Sequence, residues 1–449
     1  MSSVVVGLGK TGASCARYLA RRGLTVSVTD SRRAPPGLAL LGGLAASLDL
    51  RLGGFDLSLL EGASQVLMSP GVSLQEPIAV QARARGIDVL GDVELFARAV
   101  RTPVIGITGT NGKSTVTTLM ARMAEAAGRR VLAGGNLGEP ALDLLSHPVP
   151  DLYVLELSSF QLETTSTLKL TAAVVLNVSP DHLDRYATVL AYASAKARIF
   201  ANAATAVLNA DDPRVTAMRG AVRGGARIVT YSTVHADADF SLVSSTTQTL
   251  LARRGQALLD VKRMKISGLH NAANALAALA LGEAADLPMP KMLEVLQSFS
   301  GLPHRCEWVA DIDGVRFIDD SKGTNVGATL AAVEAMPGPL VLILGGEGKG
   351  QDFTPLVAAF LPKVRHVVLI GKDAPAIAVA LAGICRTETA AGMQEAVDAA
   401  QRAARPGDTV LLSPACASLD MFRDYAQRGE VFAAAVRRIA AGKPAEPAA

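Results

Sequence analysis

The sequence predicts an α/β protein of three domains, and three observations lead to it. Short Val/Ile/Leu runs alternate with Ala-rich amphipathic segments almost throughout, the pattern of parallel strands covered on both faces by helices. A strand running straight into a glycine turn recurs three times, at "VVVGLGKTG", "VIGITGTNGKS" and "LVLILGGEGKG". A chain of 449 residues also exceeds what one hydrophobic core organises. Strands are expected at 3–6, 24–29, 104–107, 154–157, 173–178, 206–208, 340–344, 366–370 and 409–412. Thr/Ser-rich alternation over 228–266 predicts a small antiparallel patch inside the middle block. Gly and Pro breaks divide the chain into 1–96, 97–300 and 301–449.

Bulk properties exclude several classes. No run of about 18 apolar residues lacks Gly, Pro or a charge, so no membrane span is expected. A net charge of +3 is close to neutral for this length and gives no ground for nucleic-acid binding. Cys15, Cys306, Cys385 and Cys416 lie far apart, forming neither a CxxC pair nor a disulfide framework. With no basic and apolar leader at the start, the expectation is a reduced, cytoplasmic enzyme.

The strongest chemical signal is "TGTNGKS", set between the strand at 104–107 and a helix running from about Ser114 to Gly128. Free N–H groups and the helix dipole attract phosphate at such a junction. Gly109 and Gly112 allow close backbone approach, Lys113 can neutralise terminal phosphates, and Ser114 or Thr115 can ligate magnesium. The strict P-loop spacing would place a glycine where Ile107 stands. Strand, turn, lysine, hydroxyls and helix are nevertheless in order, predicting a P-loop-type central domain.

The first turn is different. Gly7, Gly9 and Gly12 stand in GxGxxG order after a strand, and Asp30 ends the next one, which predicts a Rossmann-like N-terminal domain. Taken alone this reads as an NAD site; a glycine turn of this kind serves other diphosphates as well, and packing by itself would also account for it.

Other residues draw attention by position. Glu156 lies in an apolar strand, where a carboxylate is costly unless paired or bound to a cation; an outward-facing position is the alternative. His182 follows a strand end, Asn136 is flanked by glycines, and Lys196 reads as a surface residue. Asn271 and Asn274 share one face of a helix beginning near Asn271, where capping alone would explain them. Arg305 sits at a domain junction, "DDSK" could be no more than a surface salt bridge, and Lys349 occupies a glycine turn of a Rossmann-like C-terminal domain.

Taken together, "GTNGKST", "GLGKTG", "LSSFQLE", "NVSPDHLDRY", "GLPHR", "DSKGTNVGAT" and "SPACASLD" resemble the Mur ligase superfamily over all three blocks. These are ATP-dependent amino-acid-adding enzymes that include folylpolyglutamate synthases. The resemblance implies ATP on Gly109, Thr110, Asn111, Gly112, Lys113, Ser114 and Thr115, with Asn271 and Asn274 at the adenine. It adds Arg305, Asp320 and Lys322 reaching over the nucleotide. It implies a UDP-sugar around Lys10, Thr11, Asp30, Ser31, Arg32, Ser69, Gly71 and Asn136. Magnesium, at two positions, would be held by Ser114, Glu156, His182 and Lys196, the last carbamylated so that anionic oxygens replace an amine.

The branch most similar in these motifs adds D-glutamate to UDP-N-acetylmuramoyl-L-alanine during peptidoglycan synthesis. Its acceptor contacts map to Thr324, Lys349, Ser418, Leu419 and Tyr425. Tyr425 stands where Phe is expected and Gly323 where Ala is expected, and neither change removes a charge. The expected partners are therefore small molecules only, acting on a monomer. The alternatives are a sister ligase with another acceptor, an NAD-dependent oxidoreductase resting on the first glycine turn, and a P-loop switch, which the absence of a plain Walker B run opposes.

Overall fold

The computed structural model describes residues 2–244, 248–266, 268–336 and 338–442 and contains three sheets in succession. The first comprises β1 (Ser2–Val6), β2 (Thr25–Asp30), β3 (Asp49–Leu52), β4 (Ala63–Met68) and β5 (Asp88–Leu90). Its order is β3-β2-β1-β4-β5, all parallel. Strand order reverses between β1 and β4, the place where open α/β sheets leave a ligand crevice.

The central sheet comprises β6 (Val104–Thr108), β7 (Val131–Gly135), β8 (Leu152–Glu156), β9 (Leu170–Val175), β10 (Ala203–Asn209), β11 (Arg227–Ser232), β12 (Phe240–Ser244), β13 (Thr249–Arg253) and β14 (Gln256–Asp260). The order is β14-β13-β12-β11-β10-β9-β6-β8-β7. The antiparallel patch is narrower than the sequence suggests. β11 pairs parallel with β10 and with β12, and among the described residues of this sheet the antiparallel strand pairs are β12–β13 and β13–β14. β6 lies between β8 and β9, buried throughout, which explains its unbroken apolar run.

The third sheet comprises β15 (Glu307–Ile312), β16 (Val315–Asp319), β17 (Leu340–Gly345), β18 (Val364–Ile370), β19 (Arg386–Thr389) and β20 (Thr409–Leu412), ordered β15-β16-β20-β17-β18-β19. All but β15 run parallel. One core packs Leu342, Leu344, Leu356 and Phe360 on one face, and another packs Phe317, Val341, Ile343 and Phe432 on the other.

The helices that bear on function are α1 (Lys10–Arg21), α2 (Asp92–Ala99), α3 (Lys113–Ala126), α4 (Val189–Ala197), α5 (Leu269–Ala284), α6 (Val326–Ala335) and α7 (Tyr425–Ala440). α5 starts two residues before the expected Asn271, so Asn271 and Asn274 lie inside its first turns and are not its caps.

The chain forms two compact units, Met1–Val178 with Leu190–Met264 and Asn271–Phe299, and Ser179–Val189 with Lys265–His270 and Ser300–Ala449. The first thus holds two sheets, and a polar seam joins them. Glu94 accepts from Ser166 N (2.8 Å), Thr167 N (3.0 Å) and Thr167 Oγ1 (2.8 Å). Gln161 Nε2 donates to Asp92 at 3.2 Å, while its Oε1 accepts from Ser158 N–H in a capping box. Burial pushes the Asp92 carboxyl up to about 6 against these bonds. The "LSSFQLE" stretch is therefore in part a fastening between sheets, a role its sequence does not announce.

Candidate functional site

The first glycine turn, at the C-terminal end of β1, is built by close packing. Gly7 has φ +89, and a Cβ there would meet Val72 Cγ2 at 2.6 Å. A Cβ at Gly12 would lie 1.9 Å from the Gly7 carbonyl oxygen, so α1 approaches the loop as no other residue would permit. Gly9 differs, with open space where its side chain would be. Ser69 Oγ donates to Gly7 O at 2.9 Å, bringing the loop after β4 against the turn. Lys10 Nζ donates to Gly138 O at 2.5 Å; Thr11 is half-buried, and Ser31, Arg32 and Gly71 are exposed around the same mouth.

Asp30 ends β2 as expected, but its acceptor capacity is spent locally. Its oxygens accept from Leu8 N (2.6 Å) and from Arg32 N (2.8 Å), Nε (2.9 Å) and Nη2 (2.8 Å). Burial favours the protonated form, yet the Arg32 and Leu8 bonds outweigh it and hold the carboxyl below its usual range. Four bonds match the lone pairs of a carboxylate, leaving no acceptor for a ribose diol. That arrangement opposes the dinucleotide alternative.

The second turn joins β6 to α3. Gly112, at φ +85, is the N-cap, and a Cβ on it would meet Asn274 Oδ1 at 2.5 Å. Asn177 grips the loop from the end of the neighbouring strand: Thr110 N donates to its carbonyl, Asn111 N to Oδ1, and its Nδ2 returns a bond to Asn111 O. Lys113 curls back so that Nζ donates to Gly109 O (2.9 Å) and Thr110 O (2.8 Å). Ser114 and Thr115 are buried in the first turn of α3. A helix N-terminus with a lysine arched over the loop is suited to a polyphosphate.

Lys196 corrects the surface reading. It is 1% exposed on α4, its Nζ donates to the same Gly109 oxygen at 2.8 Å, and it lies 4.4 Å from the centre of the Tyr192 ring. Two amines thus converge on one carbonyl. Glu156, at the end of β8, is 2% exposed, settling its alternatives in favour of burial. Its Oε1 accepts from Asn136 Nδ2 at 2.7 Å, while Oε2 has no hydrogen-bond partner among the described residues. A buried carboxylate oxygen left without a donor fits a hard cation, as does the hydroxyl of Ser114.

In the second unit, loops leave the C-terminal ends of β16, β20 and β17. Burial pushes the Asp320 carboxyl up to about 7; it accepts from Ser413 Oγ (2.7 Å) and Cys306 N (3.3 Å). "DDSK" is therefore no surface salt bridge, since Asp319 and Asp320 are both buried and Asp319 pairs with His304 Nδ1 at 2.7 Å. Lys322 Nζ stands 3.6 Å from the centre of the Tyr425 ring, a cation–π contact at the start of α7. Thr324 and Arg305 are half-buried, Ser418 is buried, and Leu419 is exposed.

Lys349, at φ +54, donates to Asp181 Oδ1 at 2.6 Å. His182 follows Asp181 at φ +55. Both are non-glycine residues in the left-handed region, strain of roughly 1–3 kcal/mol each that concentrates at functional sites. Two supports escaped the sequence reading. Gln351 Oε1 accepts from Val326 N–H at the start of α6 while its Nε2 donates to Gly348 O. Arg428, fully buried, donates to Ser321 O (2.7 Å), Ser321 Oγ (3.0 Å) and Cys416 O (3.1 Å), tying two of the loops together. Burial lowers its guanidinium to about 10. Gln351 directly follows the "GGEGKG" turn and Arg428 lies in α7, but their partners Val326 and Ser321 are 25 and 107 residues away, so only the fold identifies their roles.

Comparison with known proteins agrees with this geometry. Residues 1–91 match the Mur ligase MurD-like N-terminal domain, 107–282 the Mur ligase middle domain, and 304–416 the Mur ligase glutamate ligase domain. The chain is 56% identical over 440 residues to a UDP-N-acetylmuramoylalanine–D-glutamate ligase of Nitrosococcus oceani, covering 98% of this chain and 97% of that one. It is 50% identical to the protein of the same name from Marinobacter nauticus, covering 96% of each. Among solved structures, UDP-N-acetylmuramate-alanine ligase of Thermotoga maritima superposes with a TM-score of 0.63 at 19% identity, covering 99% of this chain and 100% of that one.

Proposed function

This chain belongs to the Mur ligase family, and we propose that it joins D-glutamate to UDP-N-acetylmuramoyl-L-alanine at the expense of ATP, in peptidoglycan precursor synthesis. The observation that carries the reading is near full-length identity of 56% to a D-glutamate ligase. The Lys113 turn supplies the chemistry such a ligase needs.

An amide does not form from a carboxylate and an ammonium in water without activation. The sugar-nucleotide carboxylate attacks the γ-phosphorus of ATP, releasing ADP and leaving an acyl phosphate. The amine of D-glutamate then attacks the acyl carbon, and the tetrahedral intermediate collapses to amide and phosphate. Lys113 and the N–H groups at the start of α3 meet the charge that builds on the transferred group. Asn136, fixed by Glu156, presents its amide to the acyl group and the sugar nucleotide.

Ser114, Glu156 and a carbamylated Lys196 would hold magnesium at two positions, with His182 brought into the set by family resemblance. When bound, magnesium neutralises phosphate charge. Carbamylation has a physical motive: Lys113 and Lys196 both bond Gly109 O, and a carbamate turns a pair of like charges into an attractive one. Asn271 and Asn274 take the adenine, and Arg305, Asp320 and Lys322 the ribose and phosphates. Lys10, Thr11, Ser31, Arg32, Ser69 and Gly71 take the uridine diphosphate, with Asp30 acting through the Arg32 side chain and the Leu8 N–H that it holds. Thr324, Lys349, Ser418, Leu419 and Tyr425 take D-glutamate.

We place the domains at 1–96, 97–300 and 301–449 and read the protein as a cytoplasmic monomer. No helix among the described residues is long and apolar enough to cross a membrane. Phosphate release with ATP and UDP-N-acetylmuramoyl-L-alanine, measured against a panel of D- and L-amino acids, tests the function. D-glutamate alone should support turnover. Equal turnover with another amino acid would point to a sister ligase, and turnover without any amino acid to a nucleotide switch.

A further inference from the structure

We propose that Asp181 and Lys349 together form a clamp for the zwitterionic head of the acceptor, Asp181 taking the α-ammonium and Lys349 the α-carboxylate. The inference rests on the acceptor reading of the Lys349 loop and adds a residue that this reading leaves out.

The two side chains form an ion pair of 2.6 Å, with Asp181 at 7% and Lys349 at 15% side-chain exposure. Such a pair is a poor device for stability, because desolvation of the two charges offsets most of their attraction. The pair is nevertheless held in place with care. Asn325 Nδ2 donates to Asp181 Oδ2 at 3.3 Å, and the His182 N–H donates to Oδ1 at 2.9 Å. Asn325 is in turn fixed as the N-cap of α6, accepting from Ala328 N–H. Gln351 braces the Lys349 loop through Gly348 O. Both His182, next to Asp181, and Lys349 itself adopt left-handed backbone, at φ +55 and +54.

A pre-formed pair of opposite charges selects its ligand by what it costs to open. An amino acid brings one charge of each sign, so each protein charge exchanges one partner for another and nothing is left buried alone. A dicarboxylate satisfies Lys349 but strands Asp181, and a simple amine does the reverse. Leaving one charge of a buried pair without its partner is strongly unfavourable. The clamp therefore favours an α-amino acid over its deaminated analogue even where every carboxylate contact is the same. It also places the nitrogen that must become the nucleophile against a fixed carboxylate.

Glutarate is the probe, carrying both carboxylates of D-glutamate and no amine. With the full chain, saturating ATP, magnesium and sugar nucleotide, the KM of D-glutamate and the inhibition constant of glutarate are measured in wild type and Asp181→Asn. We expect the KM of D-glutamate to rise while glutarate binds as well as before or better, so that the preference for the amino acid falls by about tenfold or more. A preference that falls by less overturns the clamp, whether both ligands weaken together or neither moves. The KM of ATP reports that the variant is folded, and Asp181→Ser carries the same criterion should the Asn variant fail to fold. Absence of D-glutamate turnover in wild type would sink the acceptor reading itself, a result distinct from turnover with an unchanged preference.

Discussion

The two glycine turns of the first unit begin alike and differ in what their lysines and acids do. At the first, Gly7 and Gly12 are filled by packing, Asp30 is saturated by its own loop, and Lys10 reaches an exposed carbonyl at Gly138. At the second, Lys113 folds over the loop that carries it, and Glu156, opposite Ile107 on the neighbouring strand β8, keeps a buried oxygen without a donor among the described residues. In the proposed reading the first is a binding surface whose acid is already paired with Arg32. In the same reading the second brings Lys113 to a phosphoryl group and keeps the open Glu156 oxygen for a cation. Glycine spacing alone does not separate them; the partners of the acid do, four donors on Asp30 against one open oxygen on Glu156.

Removing each lysine should expose the contrast most strongly. Lys113→Ala is expected to lower kcat on the order of 10³-fold, because its charge acts on the transferred group. Lys10→Ala should leave kcat nearly unchanged and raise the KM of the sugar nucleotide by about tenfold. Steady-state phosphate release measures both, and equal losses of kcat would erase the distinction. Next in size is the acid. Glu156→Gln keeps a carbonyl oxygen for Asn136 but loses the charge, so magnesium affinity should fall by about 10–100-fold, read from activity against magnesium concentration.

The backbone sharpens the comparison at smaller scale. Gly112→Ala puts a side chain at φ +85 and 2.5 Å from Asn274 Oδ1, so a loss of roughly 1–3 kcal/mol in urea unfolding is expected. Gly9→Ala enters open space, at φ −90, and should leave stability nearly intact while weakening sugar-nucleotide binding. A stability loss at Gly9 as large as at Gly112 would contradict the open space read beside Gly9.

Much of this was legible in the sequence, and the reasons are specific. Buried parallel strands such as β6 and β17 announce themselves as apolar runs, and the turns after them as glycines. β11 was misread because half-buried alternation looks the same whether the neighbouring strand runs parallel or antiparallel. Lys196 was hidden because nothing in "YASAKARIF" marks which face of α4 is buried, and only the nearness of Gly109 gives the amine a place. Asp181, Asn177 and Gln351 act across strand order, over separations that local pattern does not encode.

The smallest effect separates two acids at strand ends. Burial raises the Asp320 carboxyl to about 7, so the folded state holds a proton that the unfolded chain releases near pH 4. Its contribution to stability is full below about pH 4 and is lost as pH rises toward 7. Asp30, held below its usual range despite burial, has the opposite sign: its contribution is present above about pH 4 and is lost as pH falls. Thermal midpoints of Asp320→Asn should gain on wild type as pH rises from 4 to 7, and those of Asp30→Asn should gain as pH falls below 4. The same trend in both would show that one environment has been misread.

The central claim is that the Lys113 turn delivers a phosphoryl group to a carboxylate, and oxygen bookkeeping tests it directly. With UDP-N-acetylmuramoyl-L-alanine labelled by ¹⁸O in the alanine carboxyl, one labelled oxygen should appear in the inorganic phosphate released with each amide formed. Phosphate free of the label, alongside normal amide synthesis, would mean that no acyl phosphate forms.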